Sequence, residues 1–288
     1  MSKTRAILHN SAIQMTGRGA SMVLGVVTLG LMTRALGPAE FGYYTTAFSF
    51  LQFFGFLVDF GLTLTTVAMV SEDEARAPKI LGAMLSLRAI SAAIFLGLAP
   101  VVALAFPYPH EVRLAILFGT IAFFSLAVSQ IFNGIFQWKL KMVAATIAEV
   151  VSKMGTLAVT FLVYLHGGSV VAMIGALVAG NVLQVTLLYF FSRHEVRVEP
   201  NLNRKLLREI ISRSWPIGVS VAFNLIYLRA DVIILSLFRS PTEVGFYGAA
   251  YKAVDVITVL PFMFMGLILP FMVRAFAKGD LDDLKKNY

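Results

Sequence analysis

Pro38-Ala39-Glu40-Phe41-Gly42-Tyr43-Tyr44 returns further along the chain as Pro241-Thr242-Glu243-Val244-Gly245-Phe246-Tyr247, and Ala47-Phe48 is echoed by Ala250-Tyr251. Four matched positions share an offset of 203 residues (241 − 38, 243 − 40, 245 − 42, 247 − 44). Short identities of this kind arise by chance in any long chain. Their context gives them weight: each copy follows one long apolar segment and opens another, as expected of an internal structural repeat.

The apolar segments set the class. Hydrophobic residues make up 58% of the 288 and charged residues 14%, with a mean hydropathy of +0.80. Soluble domains carry nearly twice that charged share. The apolar runs reach the roughly 20 residues needed to cross a bilayer as helix. In lipid every backbone polar group must be satisfied within the segment, which selects helices. The fold class expected is all-α integral membrane, a polytopic bundle of about eight transmembrane helices. The spans are read at roughly 11–35, 43–70, 80–106, 112–136, 142–165, 170–192, 215–238 and 244–272, with Gly37-Pro38, Ala77-Pro78, Pro107-Tyr108-Pro109, Gly167-Gly168, Glu199-Pro200 and Ser240-Pro241 as breakers between them.

Lys and Arg orient the bundle. With the N-terminus inside, sixteen of the 24 basic residues fall on the cytoplasmic side and three (Arg34, Arg113, Arg239) on the outer side, leaving five within spans. That asymmetry places both termini in the cytoplasm. The net charge of +8 therefore belongs to inner loops and does not point to nucleic acid. Lys3 and Arg5 before the first apolar run resemble a signal peptide. Arg18 interrupts that run, however, and removing the span would spoil the charge bias.

The segment 193–213 carries six basic residues, with Leu206, Leu207, Ile210 and Ile211 among them at helical spacing. It reads as a basic linker, either an amphipathic helix on the inner leaflet or a solvated connection. The domains expected are 1–192 as a six-helix lobe, 193–213 as linker, and 214–288 as the first two helices of a second lobe with a cytoplasmic tail. Six spans separate the two motif copies, so a second set of six would need roughly another hundred residues at ~1.5 Å rise and about 20 residues per span. The chain reads as a fragment of a two-lobe protein or as a naturally shortened relative, with the fragment favoured.

Physically, the motif is a helix start. Ser240 can cap, Pro241 suits the first helical position, and Glu243 can complete a capping box. Gly37, Pro38 and Glu40 follow the same scheme. Gly42 and Gly245 then lie one turn in, where the preceding helix can approach closely. A structural corner is favoured over substrate contact.

Nine ionisable residues fall within spans: Arg18, Asp59, Arg88, Glu149, Lys153, Arg229, Asp231, Lys252 and Asp255. Each costs about 2.5–3.5 kcal/mol at a helix centre on insertion scales, so they must pair, snorkel or face water. Glu149 with Lys153, and Lys252 with Asp255, share helix faces and can pair. Arg18 and Arg88 lie about 10–12 Å from the inner ends of their spans and can snorkel. The functional reading is a wet cavity where Arg18, Arg88, Lys153, Arg229 and Lys252 meet an anionic group, Arg suiting phosphate through its planar fork. Asp59, Glu149, Asp231 and Asp255 are then charge partners or ion-coupling groups. Five cations and four acids net only +1, so this cavity is positive only where the acids pair off.

No phosphate loop, HExxH or Ser-His-Asp set occurs, cysteine is absent, and the four histidines are scattered. The outer loops are too short for a catalytic domain. No cofactor or metal is expected, and the reading is against an enzyme.

Arg34-Ala35-Leu36-Gly37-Pro38-Ala39-Glu40-Phe41-Gly42-Tyr43-Tyr44, with Leu57-Val58-Asp59-Phe60-Gly61-Leu62, resembles the start of polysaccharide biosynthesis flippases in the multidrug/oligosaccharidyl-lipid/polysaccharide exporter (MOP) superfamily. Arg229-Ala230-Asp231-Val232-Ile233-Ile234-Leu235 and Glu243-Val244-Gly245-Phe246-Tyr247-Gly248-Ala249-Ala250-Tyr251-Lys252 resemble that family's seventh and eighth helices. The resemblance implies a MATE-like pair of six-helix lobes about a central cavity. It implies translocation of polyprenyl-pyrophosphate oligosaccharide across the plasma membrane by alternating access. The partners are then the bilayer and an anionic lipid-linked glycan. A drug or metabolite exporter of the same superfamily is the second reading. A membrane-embedded glycan polymerase or ligase is the third, and it lacks the large outer loop bearing Arg or His that such an enzyme would need.

Overall fold

The computed structural model describes residues 3–139, 141–193, 199–255 and 257–258, with side chains from residue 13 onward except at 74. The second half of the eighth expected span, with Pro261 and Pro270, lies outside the described residues, as do the tail 273–288 and the basic residues Arg197, Arg274, Lys278, Lys285 and Lys286. So does His194.

Seven helices follow one another: α1 (Lys3–Asp59), α2 (Leu62–Glu72), α3 (Ala77–Ala103), α4 (His110–Trp138), α5 (Met142–Leu165), α6 (Val170–Ser192) and α7 (Arg204–Phe238). Residues 241–255 are helical as well, and no strand occurs among the described residues. Six helical stretches are long and apolar enough to cross a membrane, the first running from Ile13 to Glu72. Its 60 residues would reach about 90 Å if straight, against a hydrocarbon core of about 30 Å. It therefore holds two crossings, joined at Gly37, whose φ of 67° and ψ of 177° interrupt the helix immediately before Pro38. Only glycine takes that backbone conformation cheaply. The protein is thus a multi-pass, all-α membrane protein.

Small residues let the helices approach. A Cβ on Gly17 would overlap Thr146 of α5, one on Gly119 would overlap Leu51 of α1, and one on Gly180 would overlap the Thr156 hydroxyl of α5. Such contacts replace the hydrophobic drive that lipid cannot supply between helices. Hydroxyls inside the spans return their protons to the preceding turn: Thr28 to the Leu24 carbonyl (2.7 Å), Thr46 to that of Gly42 (2.9 Å), and Ser129 to that of Ser125 (2.9 Å). The outward faces stay apolar, as with Leu117, Phe118, Ile121 and Phe124 along α4.

The linker differs from a free amphipathic helix on the membrane surface. Residues 204–213 are the first turns of α7, capped by the Asn203 side chain, which accepts from the amides of Lys205 (3.0 Å) and Leu206 (3.3 Å). Leu206 and Ile210 bury against Leu62, Met69 and Val70 of α2 and Ala77, Ile80, Leu81 and Met84 of α3. Their periodicity is real, but protein covers Leu206 and Ile210 and part of Leu207, while Ile211 stays exposed. A period of 3.6 cannot distinguish these two hosts. The charges between them bond across: Arg213 to Glu72 (2.6 Å) and to Glu209 (3.4 Å), and Arg76 to Glu209 (3.4 Å). The strand of chain before α7 lies on α3, with the Asn201 amide donating to the Gly82 carbonyl (3.2 Å) and the Ser86 hydroxyl (3.0 Å).

The chain separates into two compact units, Met1–Tyr247 and Gly248–Tyr288. α7 lies in the first, with the six-helix lobe.

Candidate functional site

The second crossing is broken within its length. α1 ends at Asp59, Phe60 has a φ of 32° and Gly61 one of 78°, and α2 resumes at Leu62. A break exposes carbonyls that lipid cannot satisfy. The Ser91 hydroxyl of α3 donates to the Val58 carbonyl (3.1 Å), and Thr65 N–H returns to the Gly61 carbonyl (3.1 Å). α7 seals the other side. A Cβ on Gly61 would stand 2.8 Å from both Ser214 O and Gly218 N, and one on Gly218 would meet the Phe60 ring at 2.6 Å.

Arg88 of α3 sits at this break, 3% exposed. Its guanidinium bonds the Asp59 carboxylate and the Thr63 hydroxyl, and it donates to the Ala127 carbonyl of α4 at 3.2 Å. Thr63 in turn donates to Asp59 at 2.5 Å. One buried cation thereby ties α1, α2, α3 and α4 together. Its charge is met by Asp59 in an ion pair within the lobe, in place of the snorkelled Arg88 that the sequence allows.

A cavity of about 50 Å3 opens beside this pair, with Thr63, Thr66, Arg88, Gln130, Asn133 and Gln137 as its polar lining. The three amides lie three and four residues apart on one face of α4. None of them hydrogen-bonds to protein among the described residues. Counting ionisable residues alone misses this wall. The signal was present in the sequence as three amides at helical spacing within an apolar span.

The other expected site residues are not among those lining this cavity. Arg18 and Lys153 are exposed, while Glu149 is half-buried. Glu149 and Lys153 share a face of α5 but form no salt bridge among the described residues. Arg229 is half-buried and engaged by neighbours. Asp231 accepts from the Tyr247 hydroxyl and from Val232 N–H (2.8 Å). In the second unit Lys252 pairs with Asp255 at 3.9 Å.

The two motif copies meet. A Cβ on Gly42 would overlap the Pro241 carbonyl, and one on Gly245 would overlap the Pro38 carbonyl; each would also lie 3.1 Å from the other glycine's nitrogen. The helix that each glycine admits is thus the one carrying the other copy, not the preceding helix of its own hairpin. In the second copy the Glu243 carboxylate accepts from Ser240 N–H (3.0 Å) and Oγ–H (2.9 Å), and Glu243 N–H donates to Ser240 Oγ (3.4 Å). These bonds, with Arg239 3.8 Å away, hold its carboxyl below the usual range. In the first copy Gly37 offers no hydroxyl, and Glu40 Oε2 is buried without a hydrogen-bond partner among the described residues. Nearby, Tyr108 packs on Phe106 and Phe50 and reaches Ser236 of α7 at 3.3 Å. Burial pushes its phenol pKa up, and the Ser236 hydrogen bond opposes that rise.

Two solved structures share this architecture. A MATE protein in complex with Br-NRF aligns at a TM-score of 0.64 and 16% identity, covering 98% of this chain and 71% of that one. A MOP superfamily transporter from Pyrococcus furiosus aligns at 0.59 and 14%, covering 94% and 71%. Identities this low speak to the fold. Two relatives carry names that propose O-antigen transport. The one from Shigella flexneri is 18% identical over 294 residues, spanning 98% of this chain and 69% of the relative. The one from Escherichia coli strain K12 is 22% identical over 255 residues, spanning 87% and 60%. Residues 7–276 match the family described as polysaccharide biosynthesis protein. The chain belongs to that family, as the resemblance read from its sequence implied.

Proposed function

We propose that the protein serves to move a lipid-linked oligosaccharide, a glycan on polyprenyl pyrophosphate, from the inner to the outer leaflet of the plasma membrane. Both termini are then cytoplasmic, and 1–192 and 214–288 belong to two lobes. The family match over residues 7–276 carries the reading, and the relatives named for O-antigen transport agree with it. The work is translocation, with no covalent step. Arg18, Lys153, Arg229 and Lys252 are the candidate contacts for pyrophosphate, with Glu149, Asp231 and Asp255 as their charge partners or coupling groups. Arg88 and Asp59, already bonded to each other, are assigned to bracing the helices beside the break.

Deletion of the gene in its host tests this. The expected result is loss of surface polysaccharide with lipid-linked oligosaccharide retained in the inner leaflet. Intact glycan export with altered drug sensitivity would instead favour the exporter reading.

A further inference from the structure

The cavity beside Arg88 has a chemistry distinct from the one expected of a pyrophosphate site. Its cation is spent: Arg88 is 3% exposed and bonds Asp59, Thr63 and the Ala127 carbonyl. With Asp59 matching it, the pair presents no net charge to an anion. Nor does the site suit a bare cation, because its nearest carboxylate is already occupied by Arg88 and no other carboxylate lines it among the described residues. What remains free is neutral. The amides of Gln130, Asn133 and Gln137 each offer donors and an acceptor, and no protein group engages them among the described residues.

Neutral groups that donate and accept in the same small space match hydroxyl and acetamido groups, which do the same. The cavity of about 50 Å3 takes a few water-sized groups, the scale of a sugar's polar substituents. The amides extend about 10 Å along α4, long enough to follow linked rings.

We propose that the wall formed by Thr63, Thr66, Gln130, Asn133 and Gln137, with Arg88 also lining it, is a glycan subsite. It recognises the sugar part of a lipid-linked substrate by neutral hydrogen bonds, separately from any cation that holds the pyrophosphate. This rests on the flippase reading above. It adds that selection among glycans lies in α2 and α4 of the N-terminal lobe.

The test uses the full-length protein in nanodiscs with two probes. One is bare polyprenyl pyrophosphate. The other is the same lipid carrying the oligosaccharide extracted from the host's own membranes. Wild-type protein should hold the glycosylated lipid more tightly. Gln130→Leu with Gln137→Leu should weaken that lipid about tenfold or more, since two hydrogen bonds are lost, and leave the bare lipid unchanged. Asn133→Leu alone should weaken the same lipid less. Gln130 and Gln137 are exposed, so their replacement leaves the packed core intact. Equal weakening of both lipids would overturn the subsite, because the pocket would then serve the pyrophosphate or the fold. Unchanged binding of both would overturn it too, leaving a pocket that holds only water. A wild type that binds both lipids equally removes the subsite and spares the flippase reading. One that binds neither removes both.

Discussion

Gly42 and Gly245 lie against each other's motif: each occupies the space where a side chain would strike the proline carbonyl of the opposite copy. The contact is reciprocal, as at a two-fold interface, where residue i meets j and j meets i. Replacing either glycine by valine forces the corners apart. Because the chain has no cysteine, spin labels on cysteines at Ala39 and Thr242 report this without background. The wild-type pair should give a short, narrow distance distribution, and Gly42→Val should lengthen and broaden it. An unchanged distribution would mean that the corners are held by something else.

The Arg88–Asp59 pair predicts an asymmetry between removing one partner and removing both. Asp59→Asn leaves a buried guanidinium uncompensated and should cost about 3 kcal/mol, the low end of the range for broken buried pairs, because the Asp59 side chain is 37% exposed. The double variant Asp59→Asn with Arg88→Met removes the stranded charge and should recover much of that loss. Thermal unfolding in detergent measures both. A double variant as unstable as the sum of its parts would show that the pair is not coupled.

At Gly37 the backbone itself sets the turn. Gly37→Ala must adopt a φ of 67° with a ψ of 177° and should destabilise by about 1–3 kcal/mol, although open space surrounds the new methyl. Gly134→Ala, also with open space but at a helical φ, should be close to neutral or stabilising. Equal melting temperatures for the two variants would contradict the strain argument.

The connection before α7 should be held to α3 by Gly82. A side chain there would overlap the Glu199 carbonyl, so Gly82→Leu should lift residues 199–203 and expose Arg204 and Lys205 to trypsin. Faster cleavage at those two sites, with the bundle still folded, is the expected outcome.

Glu243 carries a pH dependence. Its carboxyl titrates below its ordinary value of 4.5, chiefly through the Ser240 N–H bond. The stability it contributes is therefore complete above about that pH and is lost as pH falls through the lowered value. Ser240→Ala should destabilise at neutral pH, and the difference from wild type should shrink in acid. A difference independent of pH would remove the charge from the explanation.

The local half of this protein was legible from sequence. The capping box at Ser240–Glu243 depends on residues three apart, and apolar runs dictate helices wherever water is absent. The partner of each motif glycine was not legible, because it lies 203 residues away in sequence (245 − 42). Neither was the Arg88–Asp59 pair, where a cation read as a substrate contact is bonded to Asp59, Thr63 and the Ala127 carbonyl beside the break at Phe60 and Gly61. The wall of Gln130, Asn133 and Gln137 was visible but neutral, and a search for charges passes over neutral groups.

Leaflet accessibility measures translocation itself. Vesicles containing the full-length protein, loaded with host lipid-linked oligosaccharide on one leaflet, can be probed with a glycosidase that reaches only the other. The protein should make the glycan accessible across the membrane, and Gln130→Leu with Gln137→Leu should slow this. Accessibility no greater than in protein-free vesicles would mean that the protein does not translocate this lipid.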